Sequence, residues 1–273
     1  MTFLKKAKML GSKKTGVVSM EKQRKKCEIL GVNVDVTNMK ETIEYITQNL
    51  SELRGKYICV SNVHTTVMAY KDSEYCKVQN SAAMVLPDGK PLSLVSRKKG
   101  FKEARRVAGP DLFPEIMNLS QEKGYTHYLY GTTEDTLKKL KRELMRKYPK
   151  LQIVGMYSPP FRKLESWEDE EIVNRINETK ADFIWVALGA PKQENWMFEH
   201  QDKVCGLMIG VGAAFDFQAK VISRAPRILQ DLYLEWLYRI VQDPKRLWKR
   251  YLTTNFFFIW KVLQEGKKQC KKD

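Results

Sequence analysis

Three histidines and five cysteines are scattered through 273 residues in no pattern that would hold a metal. Cys27, Cys59, Cys76, Cys205 and Cys270 form no CxxC pair and no zinc-like spacing with the histidines. Cys59 and Cys205 fall in apolar, strand-like runs, where a reduced, buried thiol is expected, so the chain reads as cytoplasmic. No run reaches the ~18–20 apolar residues needed to span a bilayer. The N-terminal lysines are not followed by the apolar core of a signal peptide. No Asp-x-Asp stands at a strand end to hold a metal-bound nucleotide diphosphate. The Gly-x-Gly in Ile209-Gly210-Val211-Gly212-Ala213-Ala214-Phe215 lacks the third glycine and the later acid of a dinucleotide site. The expectation is a chain with no metal and no cofactor that, if it meets a membrane, lies on its surface.

Positive charge, in contrast, is abundant and unevenly placed. The net charge is +16, yet residues 27–219 carry 26 basic and 26 acidic residues and are neutral. Residues 1–26 hold nine Lys/Arg against Glu21 alone, and residues 220–273 hold thirteen against five acids. Such a layout suits a neutral body held at a polyanionic surface, either nucleic acid or an anionic membrane leaflet. Near such a leaflet each basic residue contributes roughly 1 kcal/mol. Three regions follow: a basic arm over 1–26, a catalytic α/β domain over 27–219, and a basic appendage over 220–273.

Within the body, short apolar runs alternate with amphipathic stretches. Strands are expected at Tyr57–Asn62, Ala83–Asp88, Thr126–Gly131, Gln152–Tyr157, Phe183–Gly189 and Gly206–Val211, with helices near 38–53, 63–80, 110–123, 134–148, 166–179 and 191–203. Alternation of this kind predicts a Rossmann-like α/β fold: an open, mainly parallel sheet flanked by helices. Its site would gather beyond the carboxyl ends of the strands.

Three strand ends carry polar residues. Asp88, followed by Gly89, reads either as a general base projecting into a cleft or as an ordinary Asp-Gly turn. Asn62 reads as a ligand amide or a helix cap, and His64 as a phosphate or proton partner or a structural histidine. Pro191 suits a helix first turn, placing Gln193 and Glu194 at the cleft and aiming free N–H groups at a phosphate or hydroxyl. In the appendage, Ile228, Leu229, Leu232, Trp236, Leu237 and Ile240 recur at helical spacing. Asp243-Pro244 then opens a second helix with an apolar stripe of Leu247, Trp248, Tyr251, Leu252, Phe256, Ile259 and Leu263. Arg239, Lys245, Arg246, Lys249 and Arg250 cluster at the junction. Cations beside aromatics on amphipathic helices suit a membrane interface, and the stripe also suits docking on the body.

Taken together, VSNVHTTVMAY (60–70), LPDGKPL (86–92), RRVAGPDLF (105–113), LYGTTED (129–135), ALGAPKQENW (187–196), IGVGAAFDF (209–217) and the segment 223–252 resemble the WecG/TagA/CpsF glycosyltransferase family. The resemblance spans roughly 28–252. It implies metal-independent, inverting transfer from a UDP-sugar donor to an undecaprenyl-diphosphate-linked acceptor sugar, in cell-surface polysaccharide or teichoic acid synthesis. In two branches N-acetylmannosamine passes to lipid-linked N-acetylglucosamine. Carried over by motif, Asp88 is the expected base. Asn62, Arg106 and Gln193 are expected to bind substrate, and Arg239, Arg246 and Arg250 to close over the diphosphate at an anionic membrane surface. Val60, His64 and Pro91 depart from the family pattern in the implied sugar pocket. They leave open another UDP-sugar donor in capsule or exopolysaccharide synthesis.

Two rivals are weaker. A nucleic-acid-binding protein would spread aromatics over an open face, whereas here they fall on one helical stripe, so no nucleic acid partner is expected. A nucleotide-sugar oxidoreductase would need NAD at Gly210–Gly212. The sequence leaves a homo-oligomer open.

Overall fold

A computed structural model describes residues 24–226, 228–229 and 234–269. The arm up to residue 23 lies outside the described residues, as do Leu232 and the side chains of Arg246 and Arg250.

The first element was not anticipated. β1 (Lys26–Ile29) and β2 (Val32–Asp35) form an antiparallel hairpin through Leu30 and Gly31, both at positive φ (50° and 83°). A two-residue turn of that kind usually announces itself as Asn-Gly or Asp-Gly, and four-residue strands are too short for alternation to register. The hairpin is held by its core: Cys27, Ile29, Val32 and Val34 are all buried.

The main sheet has six parallel strands in the order β4-β3-β8-β7-β5-β6. They are β3 (Tyr57–Ser61), β4 (Met84–Pro87), β5 (Thr126–Gly131), β6 (Gln152–Tyr157), β7 (Phe183–Ala187) and β8 (Leu207–Gly210). All six coincide with the expected runs, some a residue or two shorter. Side chains alternate between two cores, as the strand repeat requires. Cys59, Ile184, Val186 and Met208 face one core, while Ile58, Val60, Phe183, Trp185, Leu207 and Ile209 face the other.

The first core is covered by α3 (Val63–Lys71), α4 (Ser73–Asn80), α5 (Lys90–Lys98), α8 (Ser166–Glu178) and α9 (Lys192–Glu199). The second is covered by α1 (Met39–Gln48), α2 (Leu50–Leu53), α6 (Gly109–Lys123), α7 (Glu134–Lys147) and α10 (Ala214–Gln218). Two of the expected helices are each divided. The 63–80 stretch breaks at Asp72, which caps α4 by accepting from the N–H groups of Glu74 and Tyr75.

The appendage supplies α11 (Glu235–Gln242) and α12 (Pro244–Gln269). The α12 helix packs on α3, with Phe257 against Tyr70 at 5.6 Å between ring centroids, and its Leu247, Thr254 and Phe258 are buried. The stripe expected from sequence divides accordingly. Leu247 goes inward, while Trp248, Leu252, Phe256, Ile259 and Leu263 are exposed. Among the described residues no helix is long and apolar enough to cross a membrane.

Candidate active site

From β3 the chain steps outward to β4 on one side, whereas β8 pairs on the other. A crevice opens beyond the carboxyl ends of strands at such a divergence. A cavity of about 920 Å³ lies there, with residues following β3, β4, β7 and β8 on its walls and α12 closing one flank.

Asp88 is the first residue after β4. Its N–H donates to Ser61 O of β3 at 2.7 Å, so the backbone is fixed where the side chain leaves the sheet. Gly89, at φ +98°, turns the chain sharply into α5 in a conformation side chains disfavour. The carboxyl is thereby presented to the cavity, 26% exposed. Burial pushes its pKa up to about 6, against the lowering pull of Arg106, with Glu235 adding to the rise.

Arg106 is delivered by the extended segment before α6. Val107 N–H bonds Pro87 O at 2.9 Å, and buried Ala104 and Val107 anchor the segment. The N-terminus of α6 comes close to β8; a Cβ on Gly109 would lie 3.0 Å from Val211 O. Asp111, in the first turn of α6, then meets Arg106. Arg106 Nη1 donates to Asp111 Oδ2 at 3.0 Å and Nη2 to Glu235 Oε2 at 3.2 Å, while Asp88 Oδ1 stands 3.9 Å from Nη2. Arg224 completes the cluster, with Nη1 and Nη2 at 2.5 and 2.9 Å from the two Asp111 oxygens and Nε 3.6 Å from Glu235 Oε1. Burial raises the pKa of Asp111, but Arg224 and Arg106 outweigh it and hold the carboxyl below its usual range. Arg239 lies over the Phe217 ring at 5.3 Å and lines the same cavity.

Gln193 and Glu194, in the first turn of α9, line the same cavity, and the Gln193 Nε2 donates to Glu194 Oε1 at 2.7 Å. Burial pushes the Glu194 carboxyl up, opposed by Gln193 and by Tyr75. The Gln193 amide packs over β8, where a Cβ on Gly210 would meet Nε2 at 3.1 Å.

An apolar-flanked cleft with a strand-end carboxylate, clustered guanidiniums and a cationic appendage is suited to moving a group away from an anionic leaving group. A family model for the glycosyl transferase WecG/TagA/CpsF family matches residues 27–272. The chain belongs to that family.

Two relatives of this WecG/TagA/CpsF glycosyl transferase bear the same name, N-acetylglucosaminyldiphosphoundecaprenol N-acetyl-beta-D-mannosaminyltransferase. The Bacillus subtilis (strain 168) protein is 30% identical over 242 residues, covering 87% of this chain and 90% of the relative. The Staphylococcus aureus (strain MW2) protein is 28% identical over 250 residues, covering 90% and 95%.

The transferase brings Asp88, Asn62, His64, Arg106, Gln193, Glu194 and Arg239 to one cavity although they are spread over 178 sequence positions between Asn62 and Arg239 inclusive. Their situations differ. Asn62 caps α3: its Oδ1 accepts from the His64 and Thr65 N–H groups, and Thr65 Oγ1 returns the bond to Asn62 N–H. Its contact with a ligand would come from Nδ2. Glu194 is 1% exposed and turned toward Gln193 and Tyr75, which suits orienting Gln193 better than touching substrate. Pro191 is the residue before α9, one place earlier than expected. Sequence reading assigned no role to Asp111, Arg224 or Glu235. Each lies inside a segment quoted for the family resemblance, as a charge among apolar neighbours, but no local pattern says that three such charges meet.

Proposed function

We propose that this chain transfers N-acetylmannosamine from its UDP-linked donor to undecaprenyl-diphosphate-linked N-acetylglucosamine, by single displacement at the inner face of the membrane. The observation that carries the reading is Asp88, a carboxyl held by burial near pKa 6 at a strand end, beside guanidiniums in a cavity large enough for two sugars and a diphosphate. The names of the bacillar and staphylococcal relatives supply the acceptor and the transferred sugar.

Asp88 takes the proton from the acceptor hydroxyl as its oxygen attacks the donor's anomeric carbon. The bond from that carbon to the diphosphate oxygen breaks, and UDP leaves with its new charge. Arg106 and Arg239, on the wall of the cavity, are cations placed to neutralise it, and the family motif adds Arg246 and Arg250 of the appendage. Both substrates are gathered in one cavity, which converts the encounter to an intramolecular one. The exposed apolar face of α12, with basic residues at its start, suits an anionic leaflet where the lipid-linked acceptor resides.

The test is to incubate the purified chain with a panel of UDP-sugars and a short-chain prenyl-diphosphate-N-acetylglucosamine and to measure released UDP. Acceptor-dependent release with UDP-N-acetylmannosamine alone is expected. Release with a different UDP-sugar would replace the donor while keeping the reaction, and would trace to Val60, His64 and Pro91 around the pocket.

A further inference from the structure

Glu235 is bound in the way an anionic ligand would be. Its two oxygens face two different guanidiniums: Oε2 accepts from Arg106 Nη2 at 3.2 Å, and Oε1 lies 3.6 Å from Arg224 Nε. Asp111 holds the remaining edges of the same two arginines. Directly at the two guanidiniums there are therefore three carboxylates, Asp88 being the third at 3.9 Å from Arg106. Asp88, Arg106 and Asp111 belong to the body. Glu235 is the carboxylate that arrives from the appendage, on α11, as Arg224 arrives from the stretch before that helix.

A carboxylate and a phosphate ask the same thing of arginine, two oxygens matched to a planar donor fork. Arg106 and Arg224 are only 19% and 23% exposed, so the donor edges that Asp111 does not reach, Arg106 Nη2 and Arg224 Nε, still call for an anionic partner. A charge that far from water is costly to leave unpaired. Glu235 meets that need, but it does so on the donor edges that border the catalytic carboxyl. A diphosphate brought beside Asp88 would meet three carboxylates unless one withdrew. Asp111 is gripped by both arginines at 2.5–3.0 Å and Asp88 is anchored to the sheet, whereas Glu235 holds them at 3.2 and 3.6 Å from a separate helix, which makes Glu235 the group able to go.

We propose that the Glu235 carboxylate holds the diphosphate seat formed by Arg106 and Arg224 and is exchanged for the substrate's diphosphate on binding. Its helix then carries two opposite charges for two stages. Glu235 fills the seat beforehand, and Arg239, one turn later and on the wall of the same cavity, faces the diphosphate afterwards. The site thus keeps its arginines oriented at the expense of some affinity. If the carboxylate occupies the seat nine-tenths of the time, apparent affinity falls about tenfold. This inference rests on the reading that the chain handles a nucleoside diphosphate and a lipid diphosphate.

The experiment is calorimetric titration of the full chain and of Glu235→Gln with UDP, with uridine and with a water-soluble short-chain prenyl-diphosphate-N-acetylglucosamine. The Gln variant is expected to bind one of the two diphosphate ligands about tenfold more tightly, with uridine affinity unchanged; the ligand that gains identifies which diphosphate takes the seat. Glu235→Asp, which keeps the charge but withdraws it by one methylene, is expected to give a smaller gain and decides the matter if thermal melting shows that the Gln variant does not fold. Unchanged or weaker binding of both diphosphates, or an equal gain for uridine, would overturn the exchange while leaving the glycosyl-transfer reading intact. A wild-type chain that binds neither diphosphate would overturn both.

Discussion

At the scale of single residues, the proposed chemistry turns on Asp88. A general base must be unprotonated to accept, and this carboxyl, raised by burial to about 6, loses its proton only near pH 6. The acid limb of kcat/KM, which reports the free enzyme, is therefore expected near pH 6, with the rate falling about tenfold per pH unit below it. An acid limb near pH 4 would mean that an unperturbed carboxylate, and not Asp88, carries the step. Replacing Asp88→Asn should lower kcat by ~10²–10⁴ with the melting temperature preserved, because the side chain is close in shape and its backbone anchor to Ser61 is untouched. Near-normal turnover in that variant would remove Asp88 from the mechanism. Asp88 was legible in the sequence because its neighbours say much: an apolar run before it and a glycine after it. Glu235 was not, since nothing around it differs from any other acid in a helical first turn.

At the scale of elements, two unlike pieces support the site. The β1–β2 hairpin sits beside β4, and buried Asp35 joins them by accepting the Val85 N–H at 2.7 Å and pairing with Arg24 at 2.6 Å. Asp35→Ala would leave a buried backbone donor unsatisfied next to the strand that presents Asp88. A loss of ~2–3 kcal/mol in denaturant unfolding is expected; a loss under ~0.5 kcal/mol would show that the contact is incidental. The α12 helix has the reverse character, since Leu247 and Phe258 fix it to the body while Phe256, Ile259 and Leu263 remain 70%, 55% and 58% exposed. Substituting those three by Asp should weaken binding to anionic liposomes by at least about tenfold, since a single large apolar side chain kept in water forfeits ~1.5–3 kcal/mol. The melting temperature should hardly move. Undiminished liposome binding would assign the face some other purpose. The hydrophobic period of this helix was visible in sequence, but a period reports only that an apolar face exists. Two apolar faces overlap here, and the packing on α3 selects which one is covered.

At the scale of the whole molecule, a neutral body with basic ends is joined by an appendage that contributes directly to the cavity wall: Glu235, Trp236 and Arg239 from α11 and Leu247, Tyr251 and Phe258 from α12. Truncation after residue 219 should therefore abolish turnover as well as liposome binding, even when substrates are soluble. Retained turnover on soluble substrates would limit the appendage to membrane attachment. The sequence by itself determined the parallel α/β sheet, because strands buried on both faces, as all but the edge strand β6 are, read as apolar runs and the helices that cover them as amphipathic stretches. It also placed Asp88 and Asn62 just past strand ends and Gln193 in the first turn of the helix after β7, because turn chemistry is local, and the family motifs follow from the same segments. Tertiary structure alone decided the rest. It settled that Asn62 caps α3 through Oδ1 while lining the cavity, that Glu194 turns inward, and that Asp111, Arg224 and Glu235 gather around Arg106. Those contacts join positions up to 129 residues apart, and long-range charge pairing leaves no periodic trace for a local pattern to carry.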